Sequence, residues 1–159
     1  MKPVRVLFVC LGNICRSPTA EGVLRHLAAL EAPGLKLEID SAGTADYHIG
    51  AAPDARSQRA ALNRGIDIGA LKARQVRVED FSRFDLILAM DRDNLADLKH
   101  MQPKGSHAKL KLFLDYAPQR QLHEVPDPYY RDAAGFEEVL DLTTEASRGL
   151  IASLKNGAK

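Results

Sequence analysis

Val4-Arg5-Val6-Leu7-Phe8-Val9-Cys10-Leu11-Gly12-Asn13-Ile14-Cys15-Arg16-Ser17-Pro18 is the stretch from which the fold can be read. Residues 4–9 are β-branched or large and nearly all apolar. That is the pattern of a short strand buried on both faces, as in a parallel sheet. Ser17-Pro18 then opens a helix: serine is a favoured N-cap, proline suits the first helical position, and Glu21 falls in the first turn. Ala20, Val23, Leu24, Leu27 and Ala28 form one apolar stripe at helical spacing. Pro33-Gly34 ends the unit.

The same alternation continues along the chain. Leu35, Leu37 and Ile39 alternate as a second strand that stops at Ser41-Ala42-Gly43. Residues 54–64 read as a helix closed by Gly65. Leu86 to Met90 is another buried strand, followed by a polar helix over 91–100, and Leu110 to Leu114 is a fourth strand. A long loop carries Asp127-Pro128-Tyr129-Tyr130. The last helix sets Phe136, Val139, Leu140, Ser147, Leu150, Ile151 and Leu154 on one face. Strands separated by helices imply right-handed crossovers and an open α/β sandwich. Ligands of such sheets bind beyond the carboxyl ends of the strands, where Cys10 sits.

The 159 residues suit one domain spanning 1–159, with the last few residues expected to fray, and 45% hydrophobic residues suffice for one core. A net charge of +1 argues against a dedicated nucleic-acid binder. Two cysteines, Cys10 and Cys15, are too few for a secreted disulfide framework. The apolar run after Lys2 and Arg5 is shorter than a signal-peptide core and lacks a small-residue cleavage site. Bulky Phe8 and Val9 before Cys10 do not suit lipid attachment. No stretch is long enough to span a membrane. A soluble cytoplasmic protein, with neither membrane nor nucleic-acid partner, is the expectation. Histidines 26, 48, 100, 107 and 123 are scattered and read as surface residues; with only two cysteines, no metal site is expected.

The segment Cys10-Leu11-Gly12-Asn13-Ile14-Cys15-Arg16-Ser17 carries the chemistry. A helix start presents unpaired amides and a positive dipole end to an anion. Gly12 and Asn13 tolerate the left-handed backbone that curls successive amides inward. Arg16 closes the ring with a planar fork that matches two phosphate oxygens. Cys10 lies beneath, where amides, dipole and the Ser17 hydroxyl favour a thiolate, and a thiolate facing bound phosphate is a nucleophile. A phosphate ester with a poor leaving group also needs an acid. Asp127 is the candidate: Pro126 and Pro128 stiffen its loop, and Tyr129 and Tyr130 could wall a pocket for an aromatic ring. Asp91 reads as a helix cap near the pocket.

These two motifs together resemble the low-molecular-weight protein tyrosine phosphatases. The resemblance covers nearly the whole chain, including Asp40-Ser41-Ala42-Gly43-Thr44, Gly65-Ile66, Ala73-Arg74-Gln75, Phe84-Asp85 and Met90-Asp91. It implies a three-layer sandwich with a four-stranded parallel sheet, helices on both faces and an N-terminal phosphate-binding loop. It implies hydrolysis of protein phosphotyrosine and small aryl phosphates through a phosphocysteine on Cys10, without metal or cofactor. Arg16 would clamp phosphate, Asp127 would serve as acid and then base, and Asn13 and Ser41 would brace the loop. Tyr47 would lie at the pocket mouth. The partners implied are phosphotyrosine proteins, a tyrosine kinase among them. The family's usual histidine, which bonds to the loop asparagine, is replaced by Leu71, so the loop is expected to lose one brace.

Cys15 could form a reversible disulfide with Cys10 and protect it from over-oxidation. Three other activities fit parts of the motif. An arsenate reductase of the same fold needs further cysteines, and none follows Cys15. A cysteine phosphocarrier has no need of Arg16 together with a general acid. A phosphotyrosine-binding module does not require the thiol.

Overall fold

The computed structural model describes residues 2–157. Four strands, β1 (Val4–Cys10), β2 (Leu37–Gly43), β3 (Leu86–Ala89) and β4 (Lys109–Leu112), form one parallel sheet in the order β2-β1-β3-β4. Among the described residues, five α-helices surround it: α1 (Arg16–Glu31), α2 (Ala55–Leu62), α3 (Asp80–Arg83), α4 (Arg92–Met101) and α5 (Ala133–Lys155). The expected sandwich is therefore the observed architecture. Ala158 and Lys159, part of the terminus expected to fray, lie outside the described residues.

Strand composition explains the order. β1 and β3 are central and face a helical layer on each side, so Val6, Leu7, Phe8, Val9 and Leu86 to Ala89 are all fully buried. Val6 and Phe8 point into one core with Leu24, Leu27, Leu140 and Leu150 of α1 and α5. Leu7 and Val9 point into the other, with Phe81, Phe84 and Leu98. β2 and β4 lie at the edges, and their interspersed Glu38, Asp40, Lys109 and Lys111 suit that position. The sheet grows one way from β1 to β2 and the other way through β3. The crevice at the carboxyl ends of β1 and β3 is thus a topological switch point.

Several local expectations shift. α1 begins at Arg16, with Cys15 in the N-cap position and no side-chain cap. Ser17 is no cap, because its hydroxyl is engaged with the Cys10 sulfur instead. Glu21 is beyond the first turn and buried. Leu35 precedes β2, and Phe113 and Leu114 leave β4 for a 3-10 segment, Phe113–Tyr116, that packs Phe113 edge-on against Phe8 at 4.7 Å. α3 was not expected; four residues are too short to show a period.

α5 rests against that 3-10 segment at Gly149. A Cβ there would overlap the Tyr116 carbonyl oxygen, a backbone atom with little freedom to yield. Gly149→Ala is therefore expected to destabilise the fold by about 1–3 kcal/mol despite alanine's better helix propensity. Urea denaturation of the two proteins measures it.

Candidate active site

The loop after β1 is shaped by where its carbonyls go. Cys10 O accepts from Thr44 N at 2.9 Å, Leu11 O from Ala45 N at 3.0 Å and Ile14 O from Asp54 N at 2.8 Å. Cys15 O accepts from the Thr19 hydroxyl at 2.7 Å. Successive peptide units tied outward by their oxygens turn their N–H groups the other way. Among the described residues, the amides of Ile14, Cys15 and Arg16 meet no backbone carbonyl. They lead into the amino end of α1, where a helix offers its positive end. Asn13 makes the curl possible with φ at 57°, a conformation asparagine tolerates better than most residues.

Cys10 is 2% exposed, and its sulfur lies inside this curl. It accepts from Asn13 N at 3.3 Å and lies 3.0 Å from Ser17 Oγ. Asn13 Nδ2 donates to Ser17 Oγ at 2.8 Å, which leaves the serine proton free for the sulfur. The second Asn13 amide proton goes to Ser41 Oγ at 3.0 Å, and Ser41 donates to Glu21 Oε1 at 2.7 Å. Arg25 closes the chain on Glu21 Oε2 at 2.9 Å. Burial pushes the Glu21 carboxyl up, against the pull of Ser41 and Arg25. Asn13 Oδ1 accepts from Arg74 N at 3.0 Å. Leu71 makes no hydrogen bond to Asn13, which relies instead on Ser41, Ser17 and the Arg74 amide. Both protons and the oxygen of Asn13 are already paired, and Leu71 packs against the main core.

Arg16 is 4% exposed. Its Nη1 donates to Asp91 Oδ2 at 2.7 Å and to Val125 O at 3.1 Å, and its Nη2 lies 3.8 Å from Asp127 Oδ2. Burial works against its charge, but Cys10, Asp91 and Asp127 outweigh it and hold the guanidinium more firmly protonated than usual. Asp91 also caps α4 through Asn94 N at 2.8 Å, so it fills both roles considered for it.

Asp127 stands at the mouth with its side chain about half exposed, and its Oδ1 accepts from Tyr129 N at 3.1 Å. A cavity of about 350 Å³ brings together Cys10, Leu11, Gly12, Ile14, Cys15, Arg16, Tyr47, His48, Asp127, Tyr129 and Tyr130. Asn13, Ser17 and Ser41 do not line it and are joined to one another by hydrogen bonds. Tyr130 is 94% exposed and packs edge-on to Tyr129 with centroids 5.0 Å apart, so it forms the outer rim instead of a wall. Tyr47 is likewise a rim residue. Cys15 is buried, and that burial pushes its thiol up to about 12 despite an opposing hydrogen bond from Ser57.

The residues that sequence reasoning missed are Glu21 and His48. Glu21 read as an acidic helix start, and His48 as a surface histidine; neither has a local signal for its place. Among the described residues, no three His, Cys, Asp or Glu side chains cluster as a metal site requires.

The chain is similar to known proteins over nearly its whole length. The family model described as low molecular weight phosphotyrosine protein phosphatase matches residues 5–159. The chain belongs to that family. The low molecular weight protein-tyrosine-phosphatase YfkJ of Bacillus subtilis is 42% identical, with 96% of each chain covered. The human low molecular weight phosphotyrosine protein phosphatase is 45% identical, with 92% of each covered. The crystal structure of an Entamoeba histolytica protein tyrosine phosphatase superposes with a TM-score of 0.92 at 39% identity, covering 97% of this chain and 98% of that one.

For a phosphatase of this family, the chain from Glu21 to Cys10 predicts a measurable dependence. Glu21→Ala leaves the Ser41 hydroxyl without its buried acceptor and frees Asn13 to turn. Expected are a loss of stability of about 1–3 kcal/mol and a fall in kcat/KM of similar size for every aryl phosphate. Denaturation and steady-state kinetics on two esters check both.

Proposed function

We infer that the chain hydrolyses phosphotyrosine and small aryl phosphates with Cys10 as nucleophile, Arg16 as phosphate clamp and Asp127 as general acid and base. One observation carries the assignment: a single cavity gathers the Cys10 sulfur, the Arg16 guanidinium and the Asp127 carboxyl at the amino end of α1. In the first step the Cys10 thiolate attacks phosphorus in line with the phenolic oxygen. A P–S bond forms, the P–O bond breaks, and Asp127 gives its proton to the leaving oxygen. In the second step water attacks the phosphocysteine, the Asp127 carboxylate takes a proton from that water, and the P–S bond breaks. Arg16 and the loop amides offset the charge on the phosphoryl oxygens throughout. Residues 1–159 act as one catalytic unit in this reading.

The aromatic rim of Tyr47 and Tyr129 supports a tyrosine ester, whose ring would reach past the loop to the mouth. Protein substrates follow, with a tyrosine kinase carrying its own phosphotyrosines among them. Among the described residues no helix is long and apolar enough to cross a membrane. A cytoplasmic setting suits a mechanism that needs Cys10 reduced.

Cys15 is the resolving thiol in a protective cycle. Peroxide oxidises the Cys10 thiolate to a sulfenic acid. Cys15 then attacks that sulfur, a disulfide forms and water leaves. The upward shift of Cys15 keeps it a thiol at neutral pH, which disfavours its direct oxidation.

Cys10→Ser is expected to abolish turnover while inorganic phosphate still binds by calorimetry; substantial residual turnover would remove Cys10 as nucleophile. Asp127→Ala should lower kcat/KM on phenyl phosphate about 10²- to 10⁴-fold, and less on an ester whose leaving group needs no proton. After a brief peroxide pulse, a thiol reductant should restore the native enzyme and fail to restore Cys15→Ser, as followed by recovered activity.

A further inference from the structure

Asp127 reaches the cavity from a loop whose anchorage is visible on both sides. On the inner side, buried Val125 donates its amide to Met90 O at 2.8 Å and gives its carbonyl to Arg16. On the outer side, Glu124 Oε2 accepts from Arg92 N at 2.9 Å. Arg92 is the first residue of α4, and its amide is one of those no helix can satisfy internally. Asp91, one residue earlier, takes Asn94 N with one oxygen and Arg16 with the other. Two carboxylates therefore share the positive end of one helix. One holds the phosphate clamp, and the other holds the acid loop three residues before Asp127.

We propose that Glu124 is a positioning residue for the general acid: its carboxylate latches the loop to the α4 N-terminus and sets the Asp127 carboxyl over the leaving oxygen. The proposal rests on Asp127 being that acid. Pro126 transmits the constraint, because its ring fixes one backbone torsion between the latch and Asp127. Glu124 does not line the cavity, so its loss leaves phosphate binding intact. Without the latch the loop is still held at Val125, but the residues beyond gain freedom, and the acid spends less time over the ester oxygen.

The test compares Glu124→Ala, Glu124→Gln, Asp127→Ala and the double alanine variant on phenyl phosphate and on an activated nitrated aryl phosphate. Glu124→Ala is expected to lower kcat/KM on phenyl phosphate about three- to tenfold, with a smaller loss on the activated ester and unchanged affinity for inorganic phosphate. Glu124→Gln, which keeps an acceptor for the amide, should recover part of the loss. In the Asp127→Ala background, Glu124→Ala should cost nothing further, since the group it positions is gone. Three outcomes overturn the latch while leaving Asp127 as the acid: a silent Glu124→Ala, an equal loss on both esters that tracks lowered thermal stability, or full additivity in the double variant. A loss in Asp127→Ala that ignores the leaving group would instead remove the acid assignment, and the latch with it.

Discussion

A backbone that aims several N–H groups at one point must first dispose of the carbonyls attached to them. Here the neighbouring segments do this. Thr44 and Ala45, just past the end of β2, take the oxygens of Cys10 and Leu11, and Asp54, at the start of α2, takes that of Ile14. The close approach requires a small residue at the strand end: a Cβ on Gly43 would stand 2.7 Å from Leu11 O. The anion site thus depends on β2 pairing with β1 in register through Cys10 and Gly43. A one-residue slip would carry Thr44 and Ala45 away from the oxygens of Cys10 and Leu11.

Behind the loop the polar groups form a closed account. Glu21, Ser41, Asn13 and Ser17 are all at most 5% exposed, and each donor among them has an acceptor. A half-satisfied buried network costs more than an apolar one, whereas a complete one fixes a single geometry. Leu71 lies outside this network and packs against the core. Asn13 Oδ1 accepts the Arg74 amide. Arg74 in turn is tied by its guanidinium to Asp40 and Asp80, so the brace extends from the loop to the opposite layer. The left-handed Asn13 is held by side-chain bonds on both ends of its amide.

The second half of the site is assembled at the end of β3. Arg16 is buried and charged, a costly combination unless compensated. Asp91 supplies a short ion pair, and the Val125 carbonyl fills another donor. The same contacts tie the Arg16 guanidinium to the loop that carries Asp127, so these two charges are located relative to each other. The switch point of the sheet makes this possible, because β1 and β3 deliver their following segments to the same crevice from opposite windings.

Much of this was legible in the chain. The buried central strand, the helix after it, the last helix and the loop of Cys10 to Ser17 follow from periodicity and from residue types whose backbone preferences are strong over a few positions. α3 was not legible, since four residues show no period, and β4 ended early because Phe113 turns away to pack on Phe8. The residues proposed as nucleophile and clamp, Cys10 and Arg16, lie six residues apart on one loop, and local chemistry alone points to them. Glu21, His48, Asp91 and Glu124 are different. Each looks like an ordinary helix, cap or surface residue, and each acquires its place from a partner brought near only by the crossovers. By itself, then, the sequence determined the strand, the curl and the chemistry of the anion loop, because those depend on neighbours in the chain. The tertiary structure alone decided how that loop is braced and how the distant carboxylates are set against it, because hydrogen bonds across 20 to 109 positions exist only once the sheet has formed.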